Sequence, residues 1–80
     1  MAVLRLFAAA RQAAGTARQE LPGRTVGEVL DLAVDRFGAE FRAVLDGSRV
    51  WLNGEPAERD LTVGEADEVA VLPPVSGGVR

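Results

Sequence analysis

The chain has 80 residues, 48% of them hydrophobic, which is enough for one small domain with its own core. It contains no cysteine and no histidine, so disulfides and thiolate metal sites are excluded and an enzyme that acts alone is not expected. The formal net charge is −3 and the nine basic residues are scattered arginines, so we expect no nucleic-acid partner.

The first part of the sequence predicts two strands with a short helix between them. Residues 2–8 alternate between two faces, as in a strand. Residues 9–15 contain good helix formers and close with Gly15, which predicts one or two helical turns. Residues 16–21 indicate a short second strand that pairs with the first, and Pro22-Gly23 ends it.

Residues 25–38 carry the strongest local signal, that of an amphipathic helix. Thr25 is followed three residues later by Glu28, which is the spacing of a capping box. Apolar residues then recur at the spacing of a buried helical face as far as Phe37. We expect Gly38 to end the helix in a left-handed conformation. The acidic side chains of the helix are expected on its solvent side: Glu28, Asp31 and Asp35.

The second half of the sequence predicts one more helical turn and two strands. The extra turn lies at residues 39–47, and a strand then runs into a tight turn at Asn53-Gly54. The loop that follows is expected to bury Leu61 and Val63 under the fold. The final strand, residues 67–73, stops at Pro73-Pro74.

These elements predict an α+β domain in which two antiparallel hairpins bracket one long helix packed on one face of the sheet. Strand alternation then leaves three large apolar side chains on the uncovered face: Phe7, Trp51 and Leu72. Their convergence suggests a protein contact surface. The alternative is a second, minor apolar cluster that loops cover.

A metal site is not predicted. Glu65, Asp67 and Glu68 could attract a cation, but without histidine they are expected to form a solvated loop beside the last strand. No apolar run approaches the about 20 residues of a membrane span, and no signal peptide opens the chain. We therefore expect no membrane partner, and the expected location is the cytoplasm.

The chain as a whole resembles the β-grasp, or ubiquitin-like, sulfur carriers, and especially the small subunit of molybdopterin synthase. The resemblance is carried by GEADEVAVLPPVSGG at residues 64–78, by VLRLFAAARQAAG at residues 3–15, and by WLNGE at residues 51–55. It implies a mixed sheet of four or five strands with one main helix on one face. The β-grasp domain would span residues 1–74, and residues 75–80 would form a flexible tail that contains the diglycine.

The resemblance implies a carrier function, not an enzyme. An activating partner similar to ubiquitin-activating enzymes would adenylate Gly78 with ATP and convert its carboxylate to a thiocarboxylate. The tail would then enter the large subunit of molybdopterin synthase and donate sulfur to a pterin precursor. This chain would bind no cofactor itself. Its partner-binding residues would be Phe7, Trp51, Leu72, Pro73, Pro74 and Val75.

The residues of the tail suit this role on physical grounds. Pro73 and Pro74 fix φ and cannot continue the sheet, so the tail leaves the domain as a semi-rigid arm. Gly77 and Gly78 lack a Cβ atom and can enter a slot that is too narrow for other residues. Without the resemblance, a bare diglycine would more often be a frayed chain end.

The sequence departs from the family pattern because Val79 and Arg80 follow the diglycine. The Gly78 carboxyl group is therefore in a peptide bond and cannot be adenylated in this form. We expect a precursor that a deubiquitinase-like metallopeptidase trims. The alternatives are residues left over from expression, or a chain that has lost carrier function and retains its binding surface.

Other functions remain open at this point. One is sulfur delivery to another pathway, such as that of thiamine, cysteine or a sulfur-containing natural product. A second is a ubiquitin-like modifier that attaches Gly78 to lysines of target proteins. A third is a binding module that uses only the face of Phe7, Trp51 and Leu72.

Overall fold

A computed structural model describes residues 1–74, and within that range the chain forms five strands and three helices. In chain order these are β1 (Ala2–Leu6), α1 (Ala8–Ala14), β2 (Arg18–Leu21), α2 (Val26–Phe37), α3 (Ala39–Asp46), β3 (Arg49–Leu52), β4 (Glu55–Pro56) and β5 (Glu68–Leu72). The predicted tail, residues 75–80, lies outside the described residues. None of the helices in residues 1–74 is long and apolar enough to cross a membrane.

The five strands form one mixed sheet in the order β2-β1-β5-β3-β4. The two central strands, β1 and β5, run parallel, and every other neighbouring pair is antiparallel. Side chains of all three helices pack against the same face of the sheet, where they form the core with alternate residues of the strands. The predicted α+β layer structure is therefore confirmed, and α2 is the longest of the helices.

The start of α2 is held by its own cap and by the loop at residues 57–67. Glu28 N–H donates to the Thr25 hydroxyl at 3.1 Å, as the capping box predicts. The Glu28 carboxylate, however, accepts from Arg24 N–H at 2.8 Å, one residue before the cap. The loop supplies the remaining acceptors, because Leu61 and Arg59 carbonyls accept from Val26 N–H (2.9 Å) and Gly27 N–H (2.8 Å). The first-turn donors of α2 are thus satisfied.

The same loop corrects the expectation for Leu61. Its backbone carbonyl accepts from Val26 N–H of α2, but the residue is 43% exposed. Val63 is buried as predicted, at 5% exposure, and Val63 N–H donates to the Arg24 carbonyl. Leu61 therefore contributes through its backbone, and Val63 through its side chain.

The junction between α2 and α3 also differs from expectation. Residues 39–46 form an eight-residue helix, longer than the single turn predicted, because Phe41 is fully buried and stacks edge-on against Phe37 with ring centroids 5.3 Å apart. Gly38 has a positive φ of 96°, but its ψ of −170° is extended, not left-handed helical. This conformation lets α3 begin at the next residue.

Two turns follow their sequence signals closely. Gly15 ends α1 with φ 77° and ψ 11°, which is the left-handed cap that was predicted. Asn53 and Gly54 both have positive φ, 51° and 87°, as a two-residue hairpin turn between β3 and β4 requires. The strand predicted over residues 2–8 ends two residues earlier, at Leu6, because Ala8 begins α1 and has a positive φ of 50°.

Candidate functional site

The register of the sheet places Phe7, Trp51 and Leu72 on the face opposite the helices. Trp51 pairs with Ala70 across β3 and β5, and Ala70 pairs with Arg5 of β1. Leu72 lies two residues beyond Ala70 on the same face. Phe7 continues β1 in extended conformation (φ −128°, ψ 152°), one residue past the Leu6–Val71 pair, so it lies beside Leu72.

The neighbouring residues point the other way, into the core. Leu4, Leu6, Val69 and Val71 are each 0–1% exposed and contact the helices. Val50 and Leu52 also pack against this core. The alternation predicted from sequence is therefore confirmed for β1, β3 and β5.

We refer to Phe7, Trp51, Ala70 and Leu72 as the sheet patch. Phe7 is 40% exposed, and the other three are half-buried among their strand neighbours. None of the four belongs to the core or packs against it. The long loop packs at the start of α2, on the helix side, so in residues 1–74 it does not provide the loop cover that was the alternative interpretation.

Charged side chains surround the sheet patch. Arg5 lies between the Glu68 carboxylate, at 3.5 Å, and the Phe7 ring, whose centroid is 6.0 Å from the guanidinium carbon. Arg18 pairs with Glu20 at 3.2 Å. Arg49, opposite Leu72 in the register, is exposed and forms no ion pair with any residue in the range 1–74.

The base of the tail lies at the edge of this patch. β5 ends at Leu72, followed by half-buried Pro73 and exposed Pro74. Because β1 and β5 are parallel, Pro73 and Pro74 leave the sheet at the end of the strands where Phe7 also lies. The predicted site residues Val75, Gly77 and Gly78 lie outside the described residues. The structure thus brings Phe7, Trp51, Leu72, Pro73 and Pro74 to one side of the domain.

At the opposite end of β5, where the strand begins, the Asn53 side chain links the β3–β4 turn to β5. Its side chain accepts from Glu68 N–H at 2.9 Å and donates to the Asp67 carboxylate at 3.1 Å. The second Asp67 oxygen accepts from Gly64 N–H at 2.8 Å. The bond from Gly64, and then that from Asn53, lowers the pKa of the Asp67 carboxyl group. Sequence reasoning assigned Asn53 to the turn and missed this second role.

The acidic residues near β5 are therefore engaged in structural contacts. The Asp67 carboxylate accepts from Gly64 N–H in the turn before β5, and the Glu68 carboxylate pairs with Arg5. Among residues 1–74, no group of three or more acidic side chains is arranged to hold a metal ion.

A cleft of about 420 Å³ lies on the helix side of the domain. Its lining residues come from α2, α3 and the loop: Asp31, Val34, Asp35, Arg42, Leu45, Asp46 and Arg59. The Arg59 guanidinium donates to the Asp31 carboxylate at 2.7 Å, which fastens the loop to α2. The cleft is larger than the one lined by α1 and α3, and both are lined by helix and loop residues, not by residues of the sheet patch. We place the candidate site at the sheet patch because the tail departs there.

Comparisons with known proteins identify relatives over nearly the whole chain. The ThiS family model matches residues 4–78. SAMP1 from Haloferax volcanii is 34% identical, and the match covers 96% of this chain and 98% of that chain with a TM-score of 0.81. A putative molybdopterin converting factor, subunit 1, from Pyrococcus furiosus is 27% identical, with coverage of 92% and 97% and a TM-score of 0.78.

A more distant structure supports the fold alone. A chain of the BexX/CysO complex from Amycolatopsis orientalis is 21% identical, covers 98% of this chain and 100% of that chain, and has a TM-score of 0.81. Together with the mixed five-stranded sheet, these neighbours confirm the predicted β-grasp, ubiquitin-like fold.

Proposed function

The chain belongs to the ThiS family of small ubiquitin-like sulfur carriers, and from that premise we propose that it carries sulfur as a thiocarboxylate on Gly78 for molybdopterin synthesis. One observation carries the proposal. The family match runs through the diglycine to Gly78, and β5 delivers the Pro73-Pro74 segment directly to the edge of the sheet patch. A partner that contacts the sheet patch therefore also reaches the Pro73-Pro74 segment from which the tail continues.

The chemistry needs a free Gly78 carboxylate. A carboxylate oxygen attacks the α-phosphate of ATP, pyrophosphate leaves, and an acyl-adenylate forms. Sulfide (HS⁻) from a donor then attacks the acyl carbon, AMP leaves, and the thiocarboxylate remains. The activating partner, similar to ubiquitin-activating enzymes, binds the ATP, and this chain binds no cofactor. A chain without histidine or cysteine suits that division of labour, since the reacting groups belong to the partner. We place these ATP-dependent steps in the cytoplasm.

Release of Gly78 requires hydrolysis of the Gly78–Val79 bond. Val79 and Arg80 lie beyond the part of the chain that matches the family. A metallopeptidase that cleaves after the diglycine is the proposed processing partner, and it uncovers the carboxylate that adenylation consumes.

The sheet patch is the proposed docking surface for both the activating enzyme and the large subunit of molybdopterin synthase. Phe7, Trp51 and Leu72 supply the apolar contact, and Pro73, Pro74 and Val75 direct the tail into the partner's active site. Aromatic residues are favoured anchors in such interfaces.

A second candidate function is protein modification. The relative from Haloferax volcanii is described as a small archaeal modifier protein, at 32–34% identity in its structures. A modifier would form an amide between Gly78 and a lysine of another protein. Sulfur delivery to thiamine, cysteine or a natural product uses the same thiocarboxylate and differs only in the acceptor.

The test begins with two forms of the purified chain, one that ends at Gly78 and one that retains Val79 and Arg80. Each is incubated with the activating enzyme of the same organism, ATP and a sulfur source. We expect a thiocarboxylate, detected by intact mass, only on the form that ends at Gly78. A Gly78→Trp variant of that form should remain uncharged. Absence of the thiocarboxylate on the trimmed form would refute the carrier proposal.

A second stage separates the acceptors. The thiocarboxylate form is mixed with the large subunit of molybdopterin synthase and the pterin precursor. Sulfur transfer returns Gly78 to a carboxylate on a free chain, whereas modification leaves the chain joined to a target protein by an amide bond. Recovery of the free carboxylate form with sulfur in the pterin supports the proposed pathway, and transfer to neither acceptor directs attention to the other sulfur pathways.

A further inference from the structure

We propose that Arg49 is the charged contact through which the sheet patch recognises its adenylating enzyme, and that the enzyme presents a carboxylate to it at the rim of the apolar contact. The inference rests on the proposed function, and it names the chemistry of the partner surface that this function leaves open. It follows from the way charge is arranged on the two faces of the sheet.

The chain as a whole is acidic, with a formal net charge of −3, but the outward face of the sheet is not. Its strands present three arginines, Arg5, Arg18 and Arg49, and two acids, Glu20 and Glu68. The excess of acids lies elsewhere, including the exposed Glu28, Asp31 and Asp35 of α2 on the helix side. The molecule thus shows opposite charge on its two sides.

Two of the three outward arginines are already neutralised. Glu68 lies 3.5 Å from Arg5, and Glu20 lies 3.2 Å from Arg18. These pairs are exposed and cancel charge without much stabilisation. Arg49 has no such partner among residues 1–74 and is exposed. It therefore carries the net positive charge of this face.

The position of Arg49 makes its charge relevant to the tail. It pairs in register with Leu72, the last residue of β5, so it flanks the point where the tail departs. Its neighbour on the same face of β3 is Trp51. Asp46, three residues before Arg49, lines the cleft between α2 and α3 and lies on the helix side. A partner that covers the sheet patch and accepts the tail must also cover Arg49.

This combination points to a protein surface with an apolar centre and a negative rim. A single arginine beside an aromatic side chain is not the dense basic stripe that phosphate backbones need. Rim charges contribute mainly to association rate and to the rejection of wrong partners, while the buried apolar contact supplies affinity. We assign the carboxylate to the adenylating enzyme because every proposed use of the tail begins with adenylation.

The experiment is ATP–pyrophosphate exchange by the adenylating enzyme of the same organism, with the chain that ends at Gly78 as substrate. Arg49→Glu is compared with Arg36→Glu, which makes the same charge change on the exposed helix side, at low and at high salt. We expect Arg49→Glu to raise KM about tenfold at low ionic strength with kcat unchanged, and the difference to shrink as salt is added. Arg36→Glu should stay within about twofold of the unsubstituted chain, and Arg49→Lys should restore most of the loss.

The outcomes separate this inference from the proposed function. Equal KM values for the Arg49→Glu and Arg36→Glu variants, or a loss that salt does not reduce, would overturn the role of Arg49 while adenylation itself stands. Failure of the unsubstituted chain to support exchange would overturn the proposed function, and the inference with it. Matching thermal unfolding of the variants controls for folding, since Arg49 is exposed at the start of β3.

Discussion

Gly23 allows the chain to pass close to the first turn of α2, and its replacement by alanine should destabilise the domain. A Cβ atom at Gly23 would lie 2.8 Å from Val29 Cγ2 and 3.1 Å from Val29 N. Ordinary contacts between carbon atoms are about 3.5–4.0 Å, so one of the two segments must move. Val29 is fully buried, and its N–H donates to the Thr25 carbonyl within α2. The first turn of α2 therefore cannot shift easily to make room for the added Cβ atom.

The magnitude follows from two opposing terms. Overpacking of a fitted core costs about 1–3 kcal/mol. Loss of glycine's freedom in the unfolded chain returns about 0.4–1 kcal/mol. The expected net loss of about 1–2 kcal/mol is a large share of the about 4–12 kcal/mol available to a domain of this size. It corresponds to a fall in Tm of about 5–15 °C.

Gly47→Ala provides the matched control. Gly47 has φ −99° and ψ 6°, and the nearest atom to its added Cβ would be the Val44 carbonyl oxygen at 3.9 Å. Circular dichroism melts of both variants and the unsubstituted chain measure the effect. We expect Gly47→Ala to leave Tm unchanged or raise it slightly. A Gly23→Ala variant as stable as Gly47→Ala would refute the close approach on which the reasoning depends.

Three further variants test other parts of the structure. The lowered pKa of Asp67 means that its ionised form stabilises the fold above its unfolded-state pKa of about 3.9, and that this contribution is lost as pH falls through the folded-state value. In urea unfolding, the free energy of unfolding should therefore fall less steeply with decreasing pH for Asp67→Asn than for the exposed-site control Asp60→Asn. Equal slopes for the two variants would contradict the hydrogen bonds of the Asp67 carboxylate. Phe41→Ala should cost about 3–5 kcal/mol in the same assay, because Phe41 is fully buried, and a loss below about 1 kcal/mol would contradict its anchoring of α3. Ala8→Gly should raise Tm slightly, since relief of about 1–2 kcal/mol of strain at φ 50° exceeds the about 0.4–1 kcal/mol that glycine's freedom in the unfolded chain costs, and a lower Tm would contradict that strain.

Local sequence signals predicted the local structure well. The cap formed by Thr25 and Glu28, the left-handed Gly15 and the Asn53-Gly54 turn each depend on residues within one turn of each other. The interactions that form these caps and this turn join only neighbouring residues, so short segments of sequence are sufficient to predict them.

The sequence also predicted which strand residues lie on each face of the sheet, for a different reason. Side chains alternate strictly along a strand, so the inward positions of Leu4 and Val69 determine that Phe7 and Leu72 face outward. Alternation thus located the sheet patch before any strand order was known. The functional role of the patch remains a prediction.

Features that depend on distant parts of the chain were missed. The length of α3 depends on the burial of Phe41 in a core that residues from Ala2 to Val71 build, and the exposure of Leu61 depends on how the loop crosses α2. That Arg49 forms no ion pair within residues 1–74 became visible only with the strand register and the ion pairs of the other outward arginines. No short window of sequence contains that information.

The most direct test of the carrier account is intact-mass spectrometry of the protein isolated from its own cells, grown under conditions in which the proposed pathway is active. The account predicts a chain that ends at Gly78, with a fraction heavier by the difference between a sulfur and an oxygen atom. A mass that retains Val79 and Arg80 throughout, with no such heavier fraction, would contradict it.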